Sequence, residues 1–288
     1  MSPKTWLITG CSSGFGHHLT KTALAHNDTV IATSRDPSNL RALTPTSNPN
    51  CESKASEGRG KLIPKKLDLS GPDHEIESFV KDILSSVGKV DVLVNNAGFV
   101  FEGGIEEATT NEITTYFRTN LTSHLTLTRA LIPSMRTNHS GLIATMGSIA
   151  GWGGVPGTGI YCASKAAMAM CTEALREELA GTGIEVTCLE PGHFRTELLS
   201  EERVVRAERK GEGLEWLREL DGQQPGDVRK GAQVVYEVLM GRGRYGGRGQ
   251  LPGRLPVGGN AVEIIGGVLE RQRGVLREWG MGGECDVE

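Results

Sequence analysis

Short apolar runs alternate with longer amphipathic segments along most of the chain. Residues 76–87 are typical of the longer segments, because their apolar side chains recur at the three- and four-residue spacing of one helical face. The short runs are apolar throughout, which is typical of strands in a parallel sheet covered on both faces. They predict strands at Trp6–Thr9, Thr29–Thr33, Lys61–Leu67, Val90–Val94, Leu142–Met146 and Ile184–Leu189, with a last strand near Leu255–Val257.

The alternation of strands and helices predicts an α/β fold, with a single Rossmann-type doubly wound parallel sheet of about seven strands and helices on both faces. No change of composition marks a second domain, so residues 1–288 are expected to form one domain that ends in a strand and helix extension at 250–280. Residues 44–60 are polar and predict a surface loop. Residues 197–224 mix charged and spaced apolar side chains, as a lid over a substrate would.

The composition is that of an ordinary globular protein, with 38% hydrophobic and 23% charged residues. The formal net charge of −4 gives no sign of a nucleic-acid partner. Residues 241–259 are rich in Gly and Arg, and RNA binding is one interpretation of them, but a flexible loop before the last strand is favoured. No apolar run is long enough to span a bilayer, no signal peptide is visible, and the six cysteines form no CxxC pair. We therefore expect a cytoplasmic protein with reduced thiols and no metal site.

A glycine-rich turn at Thr9–Gly16 follows the first predicted strand and opens a helix. Its glycines permit a tight turn and let backbone amides approach a pyrophosphate, which the positive end of the helix also attracts. The alternative is a plain strand-to-helix turn, but a position after the first strand of a β–α–β unit favours dinucleotide binding. The candidate cofactor contacts in this turn are Gly10, Ser12, Ser13, Gly14, Phe15 and Gly16.

The residues after the second strand favour NADP(H) over NAD(H). Asp36 lies at the usual distance for a ribose-binding acid, but it precedes Pro37 and is interpreted as a helix N-cap. Ser34 and Arg35 are then left at the ribose. Ser34 carries no charge to repel a 2′-phosphate, and Arg35 supplies hydrogen-bond donors for one. The alternative for Arg35 is a solvated surface side chain.

Tyr161 and Lys165 are four residues apart, so on a helix they share a face. A free phenol has a pKa of about 10, and an adjacent cation can lower it by roughly 1–3 units, so that the phenol can exchange a proton with a carbonyl or alcohol oxygen. Asn96 and Ser148 follow two strands, and Asn120 lies between those strands. Singly these are ordinary surface, turn or buried polar residues. Together they predict one crevice, because ligands of open parallel sheets bind at the carboxyl ends of the strands.

The motifs together resemble those of short-chain dehydrogenases/reductases over essentially the whole chain. They are TGxxxGxG at Thr9–Gly16, Asp68 after the third strand, NNAG at Asn95–Gly98, Asn120, Ser148, YxxxK at Tyr161–Lys165 and PGxxxT at Pro191–Thr196. Gly147 stands where the family often has another serine. Three segments, Thr5–Gly16, Glu190–Thr196 and Gln224–Asp227, resemble the branch that contains 17β-hydroxysteroid and retinol dehydrogenases and their uncharacterised microbial relatives.

The resemblance implies a role for each site residue. Tyr161 is expected to be the general acid/base, Lys165 to lower its pKa and hold the nicotinamide ribose, and Ser148 to bond the substrate oxygen. Asn120 is expected to kink its helix and hold a water linked to Lys165. The remaining cofactor contacts implied are Asp68, Leu69, Asn96, Ala97 and Gly98 near the adenine and its ribose, and Pro191, Gly192, Phe194 and Thr196 near the nicotinamide.

The expected function is hydride transfer between NADP(H) and the carbonyl or secondary alcohol of a bulky apolar substrate, such as a steroid, retinoid, polyketide or terpenoid. The alternatives are an NADP-binding isomerase or dehydratase, and a non-catalytic cofactor sensor on the same fold. Family members pair through helices equivalent to residues 110–136 and 158–180, so a homodimer or homotetramer is expected.

Overall fold

Seven parallel strands form the central sheet of the computed structural model, which describes residues 2–43, 60–201, 203–207, 215–247 and 249–280. In space their order is β7-β6-β5-β4-β1-β2-β3, numbered along the chain. Because β4 pairs with β1 on the side away from β2, a cleft opens beyond the carboxyl ends of β1 and β4. The strands are β1 Thr5–Ile8, β2 Thr29–Ser34, β3 Lys61–Lys66, β4 Val92–Asn95, β5 Gly141–Met146, β6 Ile184–Pro191 and β7 Arg254–Val257.

Helices connect the strands. Within the described residues the α-helices are α1 Gly14–Ala25, α2 Asp73–Val87, α3 Thr110–Phe117, α4 Ser123–Thr137, α5 Gly159–Glu178, α6 Glu215–Leu220, α7 Val228–Leu239 and α8 Gly259–Trp279. The 3₁₀-helices are Pro37–Leu43, Ile149–Trp152, Glu197–Leu199 and Gly243–Tyr245. Two pairs of two-residue strands are Phe101–Glu102 with Val205–Arg206, and Phe194–Arg195 with Gly226–Asp227.

Alternate residues of each strand enter two separate apolar cores. Trp6 and Ile8 of β1 pack in the core covered by α1 and α7, whereas Leu7 packs in the opposite core, covered by α2 and α4. Both faces of the central strands are therefore covered, and this is why their sequences are mostly apolar. The edge strand β3 is different: it is largely exposed and carries Lys61, Lys65 and Lys66.

The predicted fold is confirmed. The sheet has seven parallel strands with helices on both faces, and each predicted strand begins and ends within two residues of its expected bounds. The expected C-terminal strand and helix are β7 and α8. Residues 44–59, most of the predicted surface loop, lie outside the described residues. Across the described ranges, no helix combines the length and apolar character needed to cross a membrane.

Candidate active site

The glycine-rich turn between β1 and α1 has no room for a side chain at Gly10 or Gly16. A Cβ on Gly10 would lie 2.8 Å from the Cα of Ala97, and one on Gly16 would lie 2.4 Å from the carbonyl oxygen of Gly10. Gly10 and Gly14 also have φ angles of +70° and +56°, which favour glycine. The turn is a bare backbone cradle at the positive end of α1, and it fits a pyrophosphate.

The two serines of the turn lie on its partly exposed side. Ser13 is the N-cap of α1, but its side chain makes no capping hydrogen bond, so its hydroxyl is available to a phosphate. Ser12 precedes it. Phe15 packs edge-on against Phe194, with ring centroids 4.9 Å apart. That contact joins the turn to the PGxxxT segment.

The NNAG segment braces the same turn. The side-chain amide of Asn96 donates to the carbonyl oxygens of Thr9 at 2.7 Å and Gly10 at 3.2 Å. The Thr9 hydroxyl accepts from the backbone amides of Asn96 and Ala97 at 2.8 and 2.9 Å. The Asn96 side chain, expected at the adenine ribose, therefore holds the cradle in shape through its amide.

His124 of α4 supports this segment from within the protein. Its Nε2 lies 2.8 Å from the carbonyl oxygen of Ala97, and its Nδ1 lies 3.3 Å from Oδ1 of Asn95. Burial lowers the pKa of His124 to about 4, so the ring is neutral at pH 7. A neutral imidazole has one N–H, and the shorter contact assigns it to Nε2, which donates to Ala97.

Asp36 is held by local hydrogen bonds. Its carboxylate accepts from the backbone amide of Ser38 at 2.9 Å and from the Ser38 hydroxyl at 2.8 Å. These bonds lie at the start of the 3₁₀-helix Pro37–Leu43. The predicted capping role of Asp36 is confirmed.

Two cations, Arg35 and Lys66, and two acids, Asp36 and Asp68, surround the ends of β2 and β3. Arg35 is exposed beside the buried Ser34, and Lys66 is the register partner of Ser34 in β3. Burial raises the pKa of Asp68, but hydrogen bonds from Ser70 and the charges of Arg35 and Lys66 lower it, and the net shift is downward. Lys66 therefore adds a second cation to Arg35 at the end of β2, beside the carboxylates of Asp36 and Asp68.

Tyr161 lies in the first turn of α5, beside Ser148. The Ser148 hydroxyl accepts from the Ala150 amide at 3.1 Å at the start of the 3₁₀-helix that follows β5. Burial raises the pKa of Tyr161 above its ordinary value of 10, and the hydrogen bond with Ser148 offsets only part of that rise. This direction is opposite to the lowering expected from Lys165, because withdrawing water from the phenolate outweighs the other effects.

Lys165 lies one helical turn beyond Tyr161, with its Nζ 5.9 Å from the centroid of the phenol ring. Its ammonium group donates to the carbonyl oxygen of Met146 at 2.7 Å. Burial lowers the pKa of Lys165 to about 8, while nearby Cys188 acts in the opposite direction. The side chain is therefore a cation at pH 7 and is fixed between α5 and the end of β5.

The expected kink at Asn120 is present as a π-helical turn, Arg118–Thr122, between α3 and α4. The buried side chain of Asn120 donates to the carbonyl oxygen of Tyr116 at 3.1 Å and accepts from the amide of Phe99 at 3.0 Å. A Cβ on Gly98 would lie 2.7 Å from Oδ1 of Asn120. Asn120 thus ties the widened turn to the segment that follows β4.

Close packing against Cys188 explains why residue 147 is a glycine. A Cβ at this position would lie 2.6 Å from Sγ of Cys188 in the neighbouring strand β6. Cys188 is fully buried, and burial raises the pKa of its thiol to about 12. The departure from the double serine of the family is matched by a large sulfur atom that fills the space.

A buried ion pair fixes the backbone that carries Ser148. Glu190 of β6 is fully buried and accepts from Nε and Nη2 of Arg254 in β7, at 2.8 and 2.5 Å. Its other oxygen accepts from the Trp152 indole at 2.8 Å, and the Arg254 guanidinium lies 3.8 Å from the centroid of that ring. Because Trp152 ends the 3₁₀-helix capped by Ser148, the cluster anchors that helix to β6 and β7.

The PGxxxT segment closes the cleft beside the glycine-rich turn. A Cβ on Gly14 would be 3.6 Å from the Thr196 side chain, whose hydroxyl accepts from the amide of Leu198 at 3.3 Å. Pro191 ends β6, and Gly192 packs so closely on α8 that a Cβ there would lie 2.1 Å from Oδ1 of Asn260.

A cavity of about 370 Å³ opens beside Ser148 and Tyr161. The predicted lid segment forms much of its wall through Leu198, Leu199, Trp216, Leu217, Leu220 and Gln224. Most of the remaining wall is apolar and includes Val100, Ile149, Val155, Phe194, Ile264 and Val268. Residues 202 and 208–214 of the expected lid lie outside the described residues.

The family model for short chain dehydrogenases matches residues 4–206 of the chain. The chain belongs to the short-chain dehydrogenase family. Oxidoreductase BOA17 of Botryotinia fuckeliana is 30% identical over 273 residues, covering 93% of each chain. Retinol dehydrogenase 8 of Bos taurus is 34% identical over 83% of this chain and 78% of its own. A solved short-chain dehydrogenase from Streptomyces avermitilis is similar with a TM-score of 0.82 and 35% identity, over 97% of both chains.

As a short-chain dehydrogenase the chain is an oxidoreductase, and its structure places the motif residues around one cleft. Some of these motif residues support the cleft by bonding to or packing against other residues. Asn96 and Asn120 bond backbone groups, and Phe15 packs on Phe194. Leu69 is buried in the core, where its carbonyl oxygen accepts from the Ser123 hydroxyl.

Several residues of this short-chain dehydrogenase site were not among the predicted site residues. They are His124, Trp152, Glu190, Gln224 and Arg254. Only Glu190 and Gln224 begin segments that the sequence motifs single out, Glu190–Thr196 and Gln224–Asp227. In the ranges covered by the structure, no cluster of three His, Cys, Asp or Glu side chains is arranged to hold a metal ion.

Proposed function

We propose that this short-chain dehydrogenase transfers a hydride between NADP(H) and the carbonyl or secondary alcohol of a bulky apolar substrate. The observation that carries the proposal is the cavity of about 370 Å³, in which Ser148 and Tyr161 lie in a mostly apolar wall. A substrate oxygen at that point would meet two hydroxyl groups. The rest of the substrate would displace water from apolar side chains, the usual arrangement of a ligand pocket.

Tyr161 acts as the proton donor in the reductive direction. Its raised pKa keeps the phenol protonated at neutral pH, so it can donate to the substrate oxygen as negative charge develops there. Ser148 donates a hydrogen bond to the same oxygen. Lys165, a cation below a pH of about 8, stabilises the phenolate that remains. A bound nicotinamide supplies or accepts the hydride.

The end of β2 supports a preference for NADP(H). Solved structures of the same fold contain NADH in one case and NADP in another, so the preference has to come from this chain's own residues. Arg35 and Lys66 supply positive charge, Ser34 supplies none of the opposite sign, and Asp36 is held by Ser38. The side chains of Arg35 and Lys66 would donate hydrogen bonds to a 2′-phosphate, and at position 34 a serine stands in place of a carboxylate that would repel it.

Fluorescence titration tests this preference directly. NADPH should bind at least about tenfold more tightly than NADH, which is about 1.4 kcal/mol. The double variant Ser34→Asp with Arg35→Ala should invert the order, because it exchanges a donor for a repelling charge. Arg41→Ala removes an exposed arginine from the following 3₁₀-helix and is the matched control. Equal affinity of the unaltered protein for both cofactors would refute the preference.

An NADPH-oxidation screen over bulky ketones tests the reaction itself. Tyr161→Phe should reduce turnover by roughly 10²–10⁴, the usual contribution of general acid–base catalysis, and leave NADPH affinity nearly unchanged. Lys165→Met should weaken both. Tyr245→Phe, which alters a tyrosine outside the cavity wall, is the control. Wild-type turnover in Tyr161→Phe would contradict the assignment. Product formation without NADPH oxidation would identify an isomerase or dehydratase, and NADPH binding without turnover of any ketone would identify a sensor.

A further inference from the structure

Gln224 is a buried polar side chain in the wall of the substrate cavity. Only 2% of the residue is exposed, yet it lines the same cavity as Ser148 and Tyr161. Among the described residues, no donor reaches its side-chain oxygen Oε1. Buried polar atoms in proteins are almost always hydrogen-bonded. An unpaired one in a ligand cavity therefore indicates a partner that the ligand brings.

The backbone around Gln224 is held on both sides. Its carbonyl oxygen accepts from Nη2 of Arg195 at 3.2 Å. The following residues, Gly226–Asp227, pair with Phe194–Arg195 as short parallel strands, and the side chain of Asp227 caps α7. The backbone of Gln224 is therefore held in a fixed position beside the cavity.

Other polar side chains in the cavity wall already have partners or face solvent. The Thr158 hydroxyl donates to the carbonyl oxygen of Val155 at 3.3 Å, and the Thr196 hydroxyl accepts from a backbone amide. Nδ1 of His193 lies 3.3 Å from the side-chain nitrogen of Asn260. Arg271 is exposed on α8. Gln224 thus differs from them in being both buried and unpaired at its oxygen.

The chemistry of the amide selects the partner. An alkyl group placed against Gln224 would leave the amide oxygen dry and unpaired, which weakens binding. A hydroxyl group would donate to that oxygen once the side chain turns it towards the cavity, because Oε1 has almost no accessible surface in the structure. If the amide is turned so that its NH₂ group faces the cavity, the same hydroxyl can accept instead, because a hydroxyl both donates and accepts.

We propose that the substrate is a hydroxyketone, or the corresponding diol: an otherwise apolar molecule with a second hydroxyl group, remote from the reacting carbonyl, that pairs with Gln224. This proposal rests on the proposed function, since it assumes that the carbonyl reacts at Ser148 and Tyr161. It adds the substrate class, and it makes Gln224 a specificity-determining residue.

Matched pairs of ketones test the proposal. One pair consists of two cyclohexanones with a substituent on the ring carbon opposite the carbonyl. The substituent is a cyclohexyl group in one member and a hydroxycyclohexyl group in the other. A second set is a series of straight-chain methyl ketones with a hydroxyl at successive carbons, compared with the unsubstituted ketone. The unaltered enzyme should prefer a hydroxylated member by roughly 10- to 100-fold in kcat/KM, with an optimum at one hydroxyl position.

Gln224→Met keeps the length of the side chain and removes its polar atoms, and Gln224→Leu is a second variant of the same kind. Both should lose the preference for the hydroxylated ketone, chiefly by raising kcat/KM for the plain ketone. Gln223→Met is the matched control, because Gln223 is the adjacent residue of the same type and is exposed. It should keep the wild-type preference.

Thermal unfolding supplies a readout that does not depend on turnover. Without ligand, the Tm of Gln224→Met should equal or exceed that of the unaltered protein, because an unpaired buried group is removed. A lower Tm in both Gln224 variants would show a structural role and overturn the proposal. With the hydroxyketone and NADPH present, the unaltered protein should be stabilised more than with the plain ketone.

The two proposals fail separately. Equal kcat/KM for both members of every pair, in the unaltered enzyme and in Gln224→Met, would overturn the hydroxyketone assignment and leave the oxidoreductase function standing. If no ketone is turned over, the proposed function fails. The thermal shifts then still decide whether Gln224 recognises a hydroxyl, since equal shifts with both members would refute it.

Discussion

Burial sets the protonation state of three side chains around the cleft. It raises the pKa of Tyr161, lowers that of Lys165 to about 8, and lowers that of His124 to about 4. In each case burial favours the neutral form, because water no longer solvates the charge. At neutral pH the result is an uncharged phenol, an uncharged imidazole and one ammonium group, which is the state that a proton donor beside a carbonyl requires.

His124→Gln should make stability less dependent on pH in acid. The folded-state pKa of about 4 lies below the ordinary 6.5, so the unfolded state binds more protons between these values. Stability from this residue is complete above pH 6.5 and is lost as pH falls towards 4, by up to about 3 kcal/mol at about 1.36 kcal/mol per unit. Glutamine can still donate to Ala97 but does not titrate.

Urea unfolding at a series of pH values measures this effect. His74→Gln is the control, because His74 is exposed near the start of α2 and should leave the slope unchanged. A His124→Gln variant with the wild-type pH slope would show that His124 is not the titrating group.

At the scale of elements, β6, β7 and the 3₁₀-helix after Ser148 are joined by Glu190, Arg254 and Trp152. The strands themselves could be predicted, since most are apolar runs of ordinary length and β3 keeps an apolar centre at Leu62 and Ile63. The cluster could not, because its three residues are far apart in sequence and become neighbours only when β7 pairs with β6 in the observed register. Glutamate and arginine in apolar strands carry no local signal of a buried ion pair.

Arg254→Met should destabilise the protein by roughly 3–5 kcal/mol, because it leaves the Glu190 carboxylate buried without its cation. The double variant with Glu190→Gln should recover a substantial part of that loss, since the glutamine is neutral and can still accept from Trp152. Chemical denaturation of both variants gives the comparison. The ion pair would not be the cause if the double variant were as unstable as Arg254→Met alone.

At the scale of the whole molecule, the strand order brings the ends of β1, β4, β5 and β6 to one cleft. The sequence predicted this convergence, because motif residues follow each of these strands. Gln224 lies in the segment predicted as a lid, but its burial could not be predicted, because that burial depends on pairing between Gly226–Asp227 and Phe194–Arg195. Two-residue strands of this kind leave no hydrophobic pattern to detect.

The chain is predicted to form a homodimer or homotetramer through the outer faces of α4 and α5. Met170 on α5 is an apolar side chain that is 53% exposed. Met170→Glu should reduce the native mass, measured by light scattering at micromolar concentration, because a charge would be buried at the interface. Val275→Glu, at a 50% exposed position on α8, should leave the mass unchanged. A monomeric mass for the unaltered protein would refute the assembly.

The contact between Gly147 and Cys188 constrains the order in which substitutions can accumulate. A serine at position 147 would place its Cβ 2.6 Å from the Cys188 sulfur and 3.2 Å from the Leu189 carbonyl oxygen, so it should be accommodated better after Cys188 has become smaller. The opposite order passes through a crowded intermediate. The effects of substitutions at the two positions should therefore be non-additive, and a library that varies Gly147 alone would miss serine variants that a smaller residue 188 permits.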